Sequence, residues 1–297
     1  MSPLQFGVFL SPDASRRNDV LAQALAAEAA GLDFVGIQDH PYQRRFLDTW
    51  VLIGHLLART TRIRAFPAVA NLPLRPPAMM AKEAASLDLL SDGRFELGLG
   101  AGGFLDAAVR MGAPRRTTGE SVEAVEEAIG ILRQAWEAAG SLRHEGPHYR
   151  LDYKPGPPPA HPIPILLGAY RPRMLAVTGR LADGWIPSLG GLGPEAASHA
   201  RRRVDDAARA AGRDPSQIAR IYNLSGTITD GGPAGGLLDG PVEHWVEALA
   251  GFNAELGFDG FMLAPAAPEL EQIERFGAEI APATRATVEA GARAGGG

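Results

Sequence analysis

Two hydrophobic rhythms alternate along the chain. Short runs rich in β-branched, aromatic and aliphatic residues occur at Leu4–Leu10, Asp33–Gln38, Ile63–Ala70, Phe95–Leu99, Ile163–Leu167, Asp183–Pro187, Ile218–Thr227 and Phe258–Leu263, and each reads as a strand. Between them, apolar residues recur three and four apart, as in Val20, Leu21, Leu25 and Ala29, or Val122, Val125, Ile129, Leu132 and Trp136. That spacing places one stripe of a helix against a core. Punctuation agrees with the rhythm. Asp48 is placed to cap a helix beginning near Trp50, Pro76-Pro77 opens the helix carrying Met79, Met80, Ala84, Leu87 and Leu90, and Gly31 and Gly257 sit where helices end. Strand and helix alternating eight times predict a single-domain α/β protein over residues 1–297, a (β/α)8 TIM barrel with elaborated loops. A doubly wound open sheet is the alternative. Gly140 to Pro164 breaks the alternation, with Leu142–His144 and His148–Leu151 expected to pair as a hairpin ahead of a proline-rich linker.

In a parallel barrel the chemistry sits where strands end. The second run surfaces into Asp39-His40-Pro41-Tyr42, so an acid and a histidine emerge together. The first exit carries Ser11-Pro12-Asp13 and the third Asn71 and Arg75. The fourth gives Gly98-Leu99-Gly100-Ala101-Gly102-Gly103, glycines that serve either close packing of backbone or close approach of a cofactor. No acid follows at the spacing a dinucleotide fold requires. At the fifth exit, Gly168-Ala169-Tyr170-Arg171-Pro172 puts small residues and a cation before a helix that proline can start. Free N–H groups there suit a phosphate, or the turn is an ordinary one with Arg171 and Arg173 solvated. Ser188 lies at the sixth exit, and the glycine-rich segment 230–240 after the seventh suits a mobile loop.

Composition narrows the partners. A net charge of −5 supplies no broad basic field, which argues against nucleic acid and for a small molecule. No stretch is apolar for long enough to span a bilayer and no secretory signal opens the chain, so a cytoplasmic protein is expected. The absence of cysteine removes disulfides, thiolate metal sites and a cysteine nucleophile. The seven histidines include no helical pair flanking an acid, because Gly146-Pro147 interrupts His144 and His148, and no metal site is expected. Ser11, Ser188 and Ser225 lack the glycine-flanked elbow of a serine hydrolase, while paired carboxylates among Asp13, Asp39 and Asp230 stay open.

Five blocks resemble one family: Gly36-Ile37-Gln38-Asp39-His40, Asn71-Leu72-Pro73-Leu74-Arg75-Pro76-Pro77, Leu87 through Gly100, Leu166-Leu167-Gly168, and Ala182-Asp183-Gly184-Trp185. On these the chain is similar, from Leu4 to about Pro265, to the bacterial luciferase-like superfamily of flavin- and deazaflavin-dependent oxidoreductases. The resemblance implies a barrel with a tricyclic cofactor across its C-terminal mouth. It also implies a non-prolyl cis peptide at Ala68-Val69, beside Ala70 and Asn71, and a phosphate site at Gly168, Ala169, Tyr170 and Arg171. Asp39 and Ser188 are further candidate cofactor contacts. The Asp39-His40 pair resembles the deazaflavin branch, in which the histidine lies beside the reacting ring carbon. An imidazole titrating near neutral pH suits the proton that accompanies hydride transfer, which makes His40 the candidate catalytic acid or base. Sugar-phosphate dehydrogenases of that branch carry a glutamate where this chain has Gly103-Phe104, so a sugar phosphate is not expected. Phe9, Tyr42 and Phe104 point instead to an apolar substrate pocket.

The expected function is therefore hydride transfer between coenzyme F420 and a small organic substrate. The alternative is a monooxygenase using reduced FMN from a separate reductase, on the same fold with a cofactor differing at one ring atom. A barrel that carries a flavin without turnover is a third reading, opposed by the titrating pair at the second exit. The family resemblance also implies a homodimer.

Overall fold

The computed structural model describes residues 3–295. Its first strands and helices are β1 (Gln5–Leu10), α1 (Arg17–Ala29), β2 (Phe34–Ile37), α2 (Thr49–Leu57), β3 (Arg64–Pro67), β4 (Ala70–Asn71) and α3 (Pro77–Leu90). Then follow β5 (Leu97–Gly100), α4 (Leu105–Arg110), α5 (Thr118–Glu137), the hairpin β6 (Leu142–Glu145) and β7 (Arg150–Tyr153), β8 (Ile165–Leu167), α6 (Pro172–Leu181) and β9 (Gly184–Trp185). The chain continues through α7 (Pro194–Ala210), β10 (Ala219–Ile228), β11 (Asp239–Gly240), α8 (Val242–Leu256), β12 (Gly260–Pro265), α9 (Glu269–Arg275) and α10 (Ala281–Gly295).

The parallel sheet runs in the order β3-β2-β1-β12-β10-β9-β8-β5-β4. Its two ends meet, because Ala65 of β3 bridges Phe95 while β4 pairs with β5. The third stave expected over 63–70 is thus β3 and β4 in line, interrupted at the Ala68–Val69 peptide, which is cis as the resemblance implied. Counting that pair once gives eight staves, and the barrel closes with no open edge.

Side-chain alternation sorts the core into two layers. Phe34, Phe66, Leu166, Ile186, Ile221 and Met262 point into the lumen and fill it. The intervening positions, such as Val35, Tyr222, Leu224, Phe261 and Leu263, pack outward under the helices. Fully burying each such side chain stabilises the fold by about 1.5–3 kcal/mol. Helix α5 shows how the outer ring is fastened. Thr117 and Glu120 cap each other's backbone N–H groups, the stripe from Val122 to Trp136 is buried, and the Trp136 indole donates to the carbonyl of Ala81 at 3.0 Å.

At the lower rim a repeated device locks neighbouring staves. Asp33, Asp183 and Asp259 each precede a strand, and their carboxylates accept from the backbone N–H of Phe6, Ile165 and Arg220 at 2.8, 2.9 and 2.7 Å. Arg285 of α10 pairs with Asp33 at 2.8 Å and covers Phe6, closing this end. The opposite end is left for chemistry.

Two local expectations need correction. The hairpin register pairs Glu145 with Arg150, so His148 lies in the turn and not in a strand, because Glu127 accepts from the N–H groups of His148 and Tyr149 and holds the turn. Segment 230–240 is not wholly loop, since Asp239–Gly240 adds to β10 as β11. Between the fourth and fifth staves, segment 104–118 also holds the six-residue helix α4, which is too short for an apolar period to show in the sequence. Among the described residues no helix is long and apolar enough to cross a membrane.

Candidate active site

Above the filled lumen the barrel opens into a cavity of about 990 Å3. The size is that of a cofactor or drug-sized ligand site. Of the residues singled out in the sequence, Phe9, Asp39, His40, Tyr42, Ala68, Val69, Ala70, Asn71, Gly168, Tyr170, Arg171 and Ser188 line it. Ala169 does not. It is buried, and its carbonyl accepts from the Trp185 indole at 2.9 Å. Phe104 stands at the rim, 58% exposed, with its ring 5.6 Å from His40 and 5.7 Å from Tyr42.

Asp39 and His40 emerge together from β2 but have different surroundings. Asp39 is buried, and its carboxylate accepts from the Asn71 N–H at 2.9 Å and from Arg75 at 3.2 and 3.3 Å. Arg75 also reaches Asp48 at 2.7 Å, and Asp48 caps α2 through the N–H groups of Trp50 and Val51. One guanidinium therefore ties the second strand's exit, the third strand's exit and the helix between them. Asp39 is held as a buried anchor.

His40 is free of that anchor. Its Nδ1 lies 3.2 Å from the Gln38 amide nitrogen, which leaves Nε2 for a ligand. Tyr42 stacks on it with ring centres 5.4 Å apart, and Phe104 meets it edge-on. Burial pushes the His40 pKa below the usual value, opposed only in part by the charge of Asp39. The imidazole is therefore neutral at pH 7 and poised to accept a proton. Burial raises the Tyr42 phenol to about 12, so it stays protonated.

The bulge at Val69 crowds the part of the cavity wall formed by Gly100 and Gly168. A Cβ on Gly100 would come within 2.6 Å of Val69, and one on Gly168 within 3.0 Å, so both glycines are required by the bulge of the third stave. Of the fourth-exit glycines, Gly98 crowds the Pro67 carbonyl, as close packing of backbone requires, while Gly100, Gly102 and Gly103 line the cavity. Two carboxamide oxygens, Asn71 Oδ1 and Asn223 Oδ1, are buried with no hydrogen-bond partner in the protein. Buried acceptors without partners mark places where a ligand supplies the donor. At the outer end the N-termini of α5 and α6 converge, with Thr118, Gly119, Arg171 and Arg173 on the cavity wall. Arg173 pairs with Glu123 at 3.2 Å, whereas Arg171 has no ion-pair partner among the described residues. These residues fit a tricyclic ring system joined to an anionic tail.

Sequence reasoning passed over Gln38, Asn223, Ile186 and Met262, and the α5 residues Thr118, Gly119, Ser121 and Val122, all of which line the cavity. Strand parity carries the signal for the strand residues. Counting by twos from Phe34 reaches Gln38, and from Ile221 reaches Asn223. No local pattern brings the start of α5 over the mouth. Among the described residues no group of three or more His, Asp or Glu is placed to hold a metal ion.

Comparison with known proteins agrees with this geometry. The family model described as luciferase-like monooxygenase matches residues 3–231. An F420-dependent hydroxymycolic acid dehydrogenase of Mycobacterium tuberculosis is 31% identical over 244 residues, a match spanning 75% of this chain and 63% of that protein. The solved structure of an F420-dependent secondary alcohol dehydrogenase in complex with an F420–acetone adduct superposes with a TM-score of 0.83 at 20% identity, covering 95% of this chain and 99% of that one. The FMN complex of the oxygenating constituent of 3,6-diketocamphane monooxygenase from Pseudomonas putida superposes with a TM-score of 0.79 at 20% identity, covering 95% and 98%. A barrel closed through an interrupted third stave, with a histidine at its second exit and a matching family model over most of the chain, leaves one assignment: this protein belongs to the luciferase-like monooxygenase family of oxidoreductases.

Proposed function

We propose that the protein moves a hydride between coenzyme F420 and the oxygen-bearing carbon of a small, largely apolar secondary alcohol or ketone. The observation that carries this reading is His40, neutral, half-buried and enclosed by Tyr42 and Phe104 at the cavity mouth. When bound, the deazaflavin supplies a carbon centre that accepts or returns a hydride. Gly100, Gly168 and the Ala68–Val69 bulge would hold its ring, and Arg171 with the turn at Gly168–Tyr170 its phosphate.

The protein's own residues do the rest. In the tautomer that keeps its own hydrogen on Nδ1, with the Gln38 carboxamide turned so that its oxygen accepts from that N–H, His40 takes the hydroxyl proton at Nε2 as an alcohol is oxidised and returns it when a ketone is reduced. The Asp39–Arg75 anchor fixes the loop carrying His40, so the imidazole keeps its place against the ring. Tyr42 and Phe104 shield it from water and favour an apolar substrate.

The F420-dependent relatives support the cofactor, with FMN as the alternative. Fluorescence titration with F420 and FMN, each oxidised and reduced, tests the choice. Micromolar F420 binding with weak FMN binding is expected, and a preference for reduced FMN would make the protein the oxygenase of a two-component system fed by a separate reductase. The same reading includes a cytoplasmic homodimer. Val51 on α2 and Met79 and Leu90 on α3 are 74%, 52% and 85% exposed, an apolar face that a second copy would cover. A monomer by light scattering at micromolar concentration would rule the dimer out.

A further inference from the structure

We propose that Asn223 and Ser188 form a donor–acceptor pair that recognises the imide edge of the cofactor ring. This rests on the reading of the cavity as a tricyclic cofactor site. Asn223 follows Ile221 on the lumen face of β10, and Ser188 follows Ile186 at the exit of β9, so strand parity turns both side chains into the cavity. The two residues are bridged through their backbones, with Asn223 N–H donating to the Pro187 carbonyl and Leu189 N–H to that of Asn223, each at 2.8–2.9 Å. Their positions are therefore set by the barrel and not by a loop.

The polar atoms can be accounted for one by one. Ser188 N–H donates to Tyr170 Oη at 3.1 Å, and the Tyr170 hydroxyl donates back to Ser188 Oγ at 3.1 Å. Asn223 Nδ2 donates to the same Oγ at 3.2 Å. Ser188 Oγ thus accepts twice, and its own hydrogen has no acceptor in the protein. Asn223 Oδ1 accepts nothing and is buried. What remains is a hydroxyl donor beside a carboxamide acceptor on the cavity wall.

A pyrimidinedione edge presents the complement, an N–H flanked by a carbonyl. Its N–H satisfies Asn223 Oδ1, and the neighbouring carbonyl accepts from Ser188 Oγ. Tyr170 belongs to the candidate phosphate turn, so the network couples the grip on the ring edge to the grip on the tail. Such a pair selects for ring systems carrying a free imide and sets which way the ring lies.

The test is equilibrium binding of F420, and of F420 methylated on its imide nitrogen, to wild type and Asn223→Ala, read by fluorescence alongside thermal melts. Asn223→Ala is expected to weaken F420 binding about 10-fold. Imide methylation is expected to weaken wild-type binding by at least as much, with little further effect in the variant. Because the substitution removes an unpartnered buried oxygen together with one hydrogen bond, and Ser188 Oγ keeps its bond from Tyr170, the melting temperature should change little. Equal binding of the methylated and unmethylated cofactor by wild type, or unchanged F420 affinity in Asn223→Ala, overturns the pairing and leaves the F420 reading intact. A wild type that binds neither F420 nor FMN overturns both.

Discussion

Arg75→Met isolates the anchor behind His40. In the wild type, Arg75 is 14% exposed and Asp39 1% exposed at their side chains, and the guanidinium bonds Asp39 at 3.2 and 3.3 Å. Its second partner, Asp48, is 43% exposed, and its plane lies 5.4 Å from the Trp50 ring centre. Removing the cation strands a buried carboxylate that keeps one bond, from the Asn71 N–H. Breaking a buried pair from one side costs about 3–5 kcal/mol, with a further ~0.5–1 kcal/mol from each of the exposed pair and the ring contact. Urea unfolding should therefore show a loss of roughly 4–7 kcal/mol, and the melting temperature should drop by roughly 5–15 °C. Asp39→Asn with Arg75→Met leaves no stranded charge, while the asparagine oxygen still accepts from Asn71. The double variant should recover stability relative to Arg75→Met, with a coupling of about 2–3 kcal/mol in the four-way cycle. A single variant within about 1 kcal/mol of wild type, or a coupling below about 0.5 kcal/mol, would refute the anchor.

Further outcomes follow from the same geometry. His40→Ala should lower kcat by about 10²- to 10⁴-fold while the F420 dissociation constant moves less than about 3-fold, as expected of a proton-handling group that does not hold the cofactor; parallel loss of binding would assign His40 a structural role. The His40 pKa is lowered by burial, so for alcohol oxidation, where the neutral imidazole is the active form, kcat/KM should stay flat down to pH 6.5 and fall only below it. An acid limb centred above pH 6.5 would contradict this. Gly100→Ala sets a methyl 2.6 Å from Val69 and should cost about 1–3 kcal/mol and impair F420 binding, which calorimetry and titration can read together.

How far the chain could be read without coordinates depends on the range of the forces involved. All eight staves are placed to within a few residues by alternation, and Asp48, Pro77 and Gly257 mark helix ends where they were expected, because caps and periodicity arise from contacts within a turn or two. His40 and Gly168–Arg171 were legible for a related reason: in a parallel barrel every strand's end leads to the same face. The cis peptide at Ala68–Val69 was legible only through the family resemblance.

Closure of the barrel decided the rest. It brings Arg75 onto Asp39 across 36 residues, turning an apparent catalytic pair into an anchor and a free imidazole. It sets Asn223 beside Ser188 across 35 residues, and lays the start of α5 over the mouth next to α6. The sequence by itself determined the elements, their order and the face on which chemistry would gather, since each follows from local sterics and the two-fold and 3.6-fold periods of the side chains. Which polar atoms find partners and which are left for a ligand depends on distances between staves far apart in the chain, and only the folded barrel sets those.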